Sequence, residues 1–313
     1  MNWRIDLIFI CAALSVVSCG QQSKDTKVVK LPKMQELKYA STRYLIEPEE
    51  LLLSLNQGNG LQLIDVRKRS DYLSGHIAGA HNLWRDQITD TSYNYGGMMP
   101  TKSQVETLLG SLGILPSDTL VIYDNKAEVD AARLWWILKN YGHKNMKLLN
   151  GGLRSWQLVD SVLYTKDVKS DPVEYRFEAE FDKTFYASHQ QVNSMVHDPT
   201  KVLLDTRSVS EFTREIRKEG AASAGRIPGS LNLDWSEAVD YNGNQKFLSA
   251  QQLKTLYLNK GIDGSKPVTT YCHSGVRSAH TLFVLTELLG YSNVTNYDGS
   301  WTEWSHLLVD TVR

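Results

Sequence analysis

A chain of 313 residues is long enough for two domains of ordinary size, each with its own hydrophobic core. Hydrophobic residues make up 42% of the chain and charged residues 22%, which is typical of a folded protein and excludes extensive disorder. The formal net charge is −1, so nothing in the charge balance indicates nucleic acid as a partner.

Residues 1–18 have the pattern of an export signal. Arg4 precedes an apolar run over residues 7–17, which has the length of a signal peptide and is short for a membrane span. Residues 16–19 resemble the bacterial lipobox, whose cysteine is lipid-modified. The resemblance implies a lipid at Cys19, a tether over residues 19–40, and a globular part outside the cytoplasm, attached to a membrane of the bacterial cell envelope in the periplasm or at the cell surface. An ordinary signal peptide with an incidental cysteine is the alternative.

The three cysteines of the chain are predicted to have different fates. Cys11 lies in the signal peptide and Cys19 would carry the lipid. Cys272 is then a single thiol without a disulfide partner in an exported protein, which makes it a candidate reactive group. A buried structural cysteine is the alternative.

The chain contains an internal repeat. Short apolar runs at residues 61–64 and 120–123 predict strands, and residues 131–141 predict a helix. The same signals return as strands at residues 202–204 and 268–271 and a helix at 278–289. A single shift of 148 residues places Asp124 on Cys272. We interpret the repeat as a duplicated domain, with the first copy over residues 41–157, a linker over 158–185 and the second copy over 186–313.

Strands that alternate with helices predict an α/β fold in which each domain has a parallel β-sheet covered by helices on both faces. Such sheets bind ligands at the carboxyl ends of their strands. Cys272 directly follows the strand at 268–271 and precedes a helix, so we expect the chemistry at this position.

The order of these segments resembles the two-domain (tandem) rhodaneses, the thiosulfate and 3-mercaptopyruvate sulfurtransferases, over residues 45–307. The matching segments are residues 65–67, 75–80, 98–100, 121–124 and 149–152 in the first copy and 205–207, 227–230, 271–277 and 298–300 in the second. In that family the second domain carries the cysteine and the first is inactive, which agrees with Asp124 in the first copy.

The loop that begins at Cys272 has the composition of an anion cradle. It is short, contains Gly275 for a positive φ angle or a close backbone approach, and opens a helix, so several N–H groups can point inward. The helix dipole and the charge of Arg277 favour the thiolate, which is the nucleophile. We therefore predict Cys272 and Arg277 as catalytic residues. The predicted substrate-binding residues are His273, Ser274, Gly275, Val276 and Ser278.

The resemblance implies that Cys272 takes the outer sulfur of a small anionic donor such as thiosulfate as a persulfide and passes it to a thiol or cyanide. No metal or cofactor is expected, because the sequence has no CxxC or His cluster. The alternatives are a 3-mercaptopyruvate sulfurtransferase, a non-catalytic rhodanese-like binding module, and a phosphatase or arsenate reductase. The last is disfavoured because Cys272 and Arg277 form Cys-x4-Arg, one residue shorter than the phosphatase motif.

Some residues remain ambiguous in the sequence. Glu211 stands about where the family has a donor-binding arginine, and Arg214 or Arg217 either replaces that arginine or is a solvated charge. Trp84 and Arg85 either line the active site or do not. Structural roles are predicted for Asp65, Arg67, His76, Asp205 and Arg207, and core positions for Trp135, Trp136, Trp156 and Trp304.

Overall fold

The structure is a computed structural model that describes residues 37–310, except Asn59 and the side chains of residues 309 and 310. The predicted signal peptide, Cys19 and most of the tether lie outside the described residues. Within residues 37–310, no helix combines the length and the apolar composition needed to cross a membrane.

The first half of the described chain builds one sheet of five parallel strands. Its strands are β1 (Leu45–Ile46), β2 (Leu61–Asp65), β3 (Ala80–Asn82), β4 (Thr119–Tyr123) and β5 (Met146–Leu149). Its helices are α1 (Pro48–Asn56), α2 (Arg69–Ser74), α3 (Lys102–Ser111), α4 (Val129–Asn140) and α5 (Gly152–Trp156). The strand order is β1-β5-β4-β2-β3, so β4 lies at the centre.

The second half repeats this architecture with its own sheet. Its strands are β6 (Tyr186–Ala187), β7 (Val202–Asp205), β8 (Leu231–Asn232), β9 (Val268–Tyr271) and β10 (Val294–Tyr297). Its helices are α6 (His189–Met195), α7 (Val209–Phe212), α8 (Ala250–Leu258), α9 (Val276–Phe283) and α10 (Ser300–Asp310). The order β6-β10-β9-β7-β8 places β9 at the centre, as β4 is in the first half.

Alternate residues of the central strands are buried on opposite faces of the sheet. Ile64 and Ile122 belong to one hydrophobic cluster, whereas their neighbours Leu63 and Val121 belong to another. Parallel strands buried on both faces appear in a sequence as continuous apolar runs, as β2 and β4 do. The predicted fold class is therefore confirmed.

The two halves share one core, which fixes the position of each relative to the other. The cluster around Trp135 of α4 also contains Phe283 of α9, and the two rings meet edge to face with 4.9 Å between their centroids. The linker packs on the first half, where Phe177 is buried against Tyr141 with 5.4 Å between ring centroids.

The structural roles predicted for the two Asp-x-Arg motifs are confirmed. Asp65 and Arg67 form a buried ion pair, and Arg67 Nη2 also donates to the Gly75 carbonyl at 2.7 Å. Asp205 and Arg207 repeat this arrangement in the second half. His76 is buried and stacks on Tyr72, with one ring nitrogen, Nδ1, 2.8 Å from the Tyr72 carbonyl oxygen. The predicted core tryptophans are also buried; these are Trp135, Trp136, Trp156 and Trp304.

Candidate active site

Cys272 is the first residue after the central strand β9 and is only 1% exposed. Ser300, the first residue of α10, holds the backbone of the loop that follows. Its hydroxyl accepts the N–H of Cys272 at 3.1 Å and the N–H of Gly275 at 2.9 Å, and it donates to the Tyr297 carbonyl at 2.8 Å. One side chain therefore fixes both ends of the loop 272–275.

The loop turns its carbonyl groups outward. Backbone N–H groups at the start of α10 donate to the loop: Trp301 to the Cys272 carbonyl at 3.0 Å and Thr302 to the His273 carbonyl at 2.9 Å. In a planar trans peptide the N–H points opposite to the carbonyl. Holding the His273 carbonyl outward therefore directs the N–H of Ser274 inward, towards Cys272.

Gly275 occupies a position that tolerates no side chain. Its φ angle is +73°, and an added Cβ would lie 2.5 Å from the Asp298 carbonyl oxygen and 2.6 Å from Arg133 Nη1. The predicted need for glycine at this position is confirmed, because the close approach leaves no room for a Cβ and the left-handed conformation favours glycine.

The equivalent loop of the first half shows what such a backbone binds. The carboxylate of Asp124 accepts four N–H groups, from Lys126, Glu128, Asp130 and Ala131, at 2.7 to 3.1 Å. Burial and the neighbouring carboxylate of Asp130 raise the pKa of Asp124 to about 6. The fold thus builds an anion cradle, and in the first half a side chain of the loop itself fills it.

In the second half Cys272 stands at the position equivalent to Asp124. Burial raises the pKa of this thiol, but the charge of Arg277 and the nearby donor groups of Ser278 and Ser274 outweigh burial, so the pKa of Cys272 is lowered overall. Ser274 and Ser278 lie 148 residues after Lys126 and Asp130, two of the donors to Asp124. A thiolate in this position is a prepared nucleophile.

Arg277 is held by Glu211. Its two terminal nitrogens donate to the two carboxylate oxygens at 2.6 and 2.9 Å, and both side chains are largely buried. Burial raises the pKa of Glu211, but the hydrogen bonds and charge of Arg277 dominate and bring it down to about 2. Glu211, found where the family pattern suggested a donor-binding arginine, is therefore the support of Arg277.

A cleft of about 500 Å³ opens above the loop between the two halves. Its walls include Arg85, Thr89, Gly97 and Arg133 from the first half and Lys218, His273, Ser274 and Val276 from the second. Of the predicted substrate-binding residues, His273, Ser274 and Val276 face this cleft, whereas Gly275 and Ser278 are buried behind it.

The cleft is lined by three cationic side chains, Arg85, Arg133 and Lys218, and by two carboxylates, Asp86 and Glu219. Partial burial lowers the pKa of Lys218, and the nearby charges of Arg277 and Arg85 lower it further. Among the described residues that line the cleft, Arg214, Arg217 and Trp84 do not appear. Arg85 and Lys218, on opposite walls, are the cations that an anionic ligand would meet.

His273 is neutral at physiological pH. Burial lowers its pKa to about 4, helped by the charges of Lys218 and Arg277. Its Nε2 lies 2.9 Å from the Glu219 carbonyl oxygen, so Nε2 is the nitrogen that carries the proton. The neutral ring anchors the loop to residues 218–220 of the cleft wall.

No signal in the sequence singled out Lys218 or Arg133 as residues of the site. Ser300 carried one signal, because it lies 148 residues after Gly152 and has the same left-handed conformation, with φ angles of +52° and +53°. A serine at a position where the first copy has glycine indicates that the serine hydroxyl makes a hydrogen bond that the fold needs. Within residues 37–310, no group of three or more His, Cys, Asp or Glu residues is placed to hold a metal ion.

Comparison with known proteins agrees with this architecture. The sequence matches the rhodanese-like domain family twice, over residues 47–158 and 188–307. The chain belongs to the rhodanese-like family. A Mycobacterium tuberculosis protein provisionally named a thiosulfate sulfurtransferase is 38% identical over 252 residues, which cover 76% of this chain and 86% of that protein.

Two further relatives place this tandem rhodanese among sulfur-handling proteins. The Thermus thermophilus sulfur carrier protein TtuD is 36% identical over 248 residues, covering 76% of this chain and 85% of that protein. The crystal structure of the 3-mercaptopyruvate sulfotransferase SseA from Escherichia coli matches with a TM-score of 0.72 and 28% identity, over 83% of this chain and 99% of that one. The predicted sulfurtransferase class is confirmed.

Proposed function

We propose that this tandem rhodanese transfers a sulfane sulfur from thiosulfate, or a closely related anionic donor, to a thiol or cyanide through a persulfide on Cys272. The observation that carries the proposal is the pair of equivalent loops, each of which directly follows the central strand of its sheet. The first cradle is filled by the Asp124 carboxylate, and the second surrounds a cysteine whose pKa is lowered and whose neighbours His273, Ser274 and Val276 line the cleft.

The reaction has two balanced steps. The Cys272 thiolate attacks the outer sulfur of thiosulfate, a new S–S bond forms, and the old S–S bond breaks so that sulfite leaves with its electron pair. A nucleophilic acceptor then attacks the outer sulfur of the persulfide, and the S–S bond breaks to restore the thiolate. Cyanide would leave as thiocyanate and a thiol as a persulfide.

The site residues have distinct parts in these steps. Inward N–H groups stabilise the negative charge on either sulfur. This stabilisation is strongest in a buried site, from which water is excluded. Arg277 favours the thiolate form of Cys272, while Arg85 and Lys218 attract the sulfonate end of the donor from the two walls. The name of the mycobacterial relative supports thiosulfate. The likeness to SseA, which covers 99% of that chain, supports 3-mercaptopyruvate as the second candidate donor.

Thiocyanate formation from cyanide tests the proposal, with thiosulfate and 3-mercaptopyruvate supplied side by side. Turnover with thiosulfate that disappears in Cys272→Ser is the expected result, with a gain of one sulfur on the wild-type protein by intact-mass analysis. Faster turnover with 3-mercaptopyruvate would transfer the proposal to that donor. Absence of both turnover and added sulfur would overturn sulfur transfer at Cys272.

We also propose that the protein is anchored to a membrane of the bacterial cell envelope by a lipid on Cys19, with its globular part outside the cytoplasm. The support is the lipobox-like sequence at residues 16–19 and the polar segment that follows it. In the native host, Cys19→Ala should move the protein from the membrane fraction to the soluble fraction. Retention of that variant in the membrane fraction would contradict the proposal.

A further inference from the structure

Arg133 crosses from the first half to the catalytic loop of the second. It lies on α4, and its side chain is only 2% exposed. Nη2 donates to Asp298 Oδ1 at 2.6 Å and to the Gly97 carbonyl at 2.9 Å, and Nη1 reaches the Gly275 carbonyl oxygen at 3.4 Å. One guanidinium group therefore joins α4, the segment around Gly97 and the loop that follows Cys272.

Net stability is a poor explanation for this arrangement. Burying an arginine and a carboxylate together costs about as much solvation energy as their attraction returns, and apolar residues of similar volume often hold a fold equally well. The shared apolar core already joins the halves, as Trp135 and Phe283 show. An apolar side chain could not donate hydrogen bonds to three oxygen atoms in fixed directions, as the guanidinium group does.

The orientation of the Gly275 carbonyl decides the orientation of the next N–H group. That carbonyl is held by two donors, Asn296 Nδ2 at 3.0 Å and Arg133 Nη1 at 3.4 Å. Because the peptide is planar and trans, the N–H of Val276 points the opposite way. In the first loop the equivalent N–H, that of Glu128, donates to the Asp124 carboxylate at 3.0 Å. Glu128 has a φ angle of +62° and precedes α4, whereas Val276 is the first residue of α9, so the equivalence concerns the peptide before each residue and not the turn after it. On that equivalence the Val276 N–H faces the position of the anion.

From these contacts we propose that Arg133 is a positioning residue for sulfur transfer. By holding the Gly275 carbonyl outward, it keeps the Val276 N–H directed at the sulfur carried by Cys272. The first half of the protein thus contributes to the chemistry without a reactive group of its own. This inference rests on the proposed persulfide on Cys272.

Two substitutions on α4 separate this role from general support of the interface. Arg133→Met removes the hydrogen bond from the guanidinium group to the Gly275 carbonyl of the loop. Lys139→Met is the matched control, because Lys139 lies on the same helix and pairs across the halves with Glu287 at 2.6 Å, in contacts that do not include the loop. Thermal unfolding of both variants reports their effect on the interface.

We expect Arg133→Met to lower kcat for thiocyanate formation at least tenfold, since loss of one preorganised donor to a developing charge costs about that much or more. KM for thiosulfate should stay within about twofold, because Arg85 and Lys218 still meet the donor. Lys139→Met should keep the wild-type kcat. Arg133→Lys should remain slow, because an ammonium group cannot grip Gly275, Gly97 and Asp298 together.

Three results would overturn the inference. Wild-type kcat in Arg133→Met or in Arg133→Lys would show that the grip is not needed. A rise in KM at constant kcat would make Arg133 a donor-binding residue. Equal losses in Arg133→Met and Lys139→Met would reduce its role to interface support.

A second route tests the same peptide if Arg133→Met does not fold. Asn296→Leu, a substitution within the second half, removes the other donor to the Gly275 carbonyl, and the same fall in kcat at constant KM is expected; an unchanged kcat would reject the mechanism.

The wild-type protein separates the two proposals. If it gains no sulfur on Cys272 by intact-mass analysis, the proposed function fails and this inference with it. If it gains sulfur and Arg133→Met turns over equally fast, only the inference fails.

Discussion

Replacing Glu211 by Gln removes the counter-charge of Arg277 and leaves the size of the side chain almost unchanged. Glu211 is 7% exposed, and its pKa of about 2 lies about 2.5 units below the ordinary 4.5. At 1.36 kcal/mol per unit, the ionised carboxylate stabilises the folded protein by about 3 kcal/mol at pH 7. Gln resembles the protonated acid, so Glu211→Gln should lose this amount.

The contribution of Glu211 has a definite pH dependence. Because the folded state lowers the pKa, the stabilisation is complete above about pH 4.5 and is lost as the pH falls towards 2. Urea unfolding of the wild type and Glu211→Gln should therefore differ by about 3 kcal/mol at pH 7 and by about 1 kcal/mol at pH 3. Glu180→Gln, a change at an exposed carboxylate, is the matched control. An equal difference at both pH values would refute an ion pair as the cause.

Four further changes test other parts of the site. Burial raises the pKa of Cys272 and the charge of Arg277 lowers it, so Arg277→Gln should shift the midpoint of Cys272 alkylation by iodoacetamide to higher pH; an unmoved midpoint would contradict this. Lys218→Gln should raise KM for thiosulfate about tenfold at low salt with little change in kcat, and an unchanged KM would place Lys218 outside the donor site. Asp124→Cys in the Cys272→Ser background should gain no sulfur from thiosulfate by intact-mass analysis, because the first loop lacks a cation like Arg277 and carries acidic neighbours. His273→Gln should leave the shape of the pH–rate profile unchanged between pH 5.5 and 8, since the pKa of His273 is about 4; a lost inflection in that range would show that the ring titrates there.

The central strands could be predicted because their burial is visible in the composition of each short segment by itself. Strands β4 and β9 are buried on both faces and appear as short runs of apolar and β-branched residues, so their predicted bounds differ from the structure by one residue at most. The helix predicted over residues 278–289 was less accurate. Helix α9 begins at Val276, and a π-helical segment, Val284–Leu288, follows it. Hydrophobic periodicity does not show where the hydrogen bonds change from i−4 to i−5.

The candidate cysteine could be selected from the sequence, but its surroundings could not. The repeat placed Cys272 after a central strand, and that inference needed no tertiary contact. The sequence alone does not distinguish Arg214, Arg217 and Lys218, because all three are cationic residues of one loop in which no hydrophobic periodicity indicates their orientation. Only the fold places Lys218 at the cleft. Arg133 looked like any charged residue of a helix until α4 was packed against the second half.

In the proposed reaction, the difference between the two loops gives the two halves different parts. In the first loop the Asp124 carboxylate takes four N–H groups, so none of these donors is left for an external anion. In the second loop a thiolate carries the charge on a single atom, and the outer sulfur of a donor can enter beside it. A closed first cradle also makes α4 a rigid support, since two of the donors to Asp124 are N–H groups in its first turn. From that helix Arg133 reaches the loop of Cys272. The Asp124 carboxylate, which fills the cradle of the first half, therefore also helps to fix the geometry of the loop in the second half.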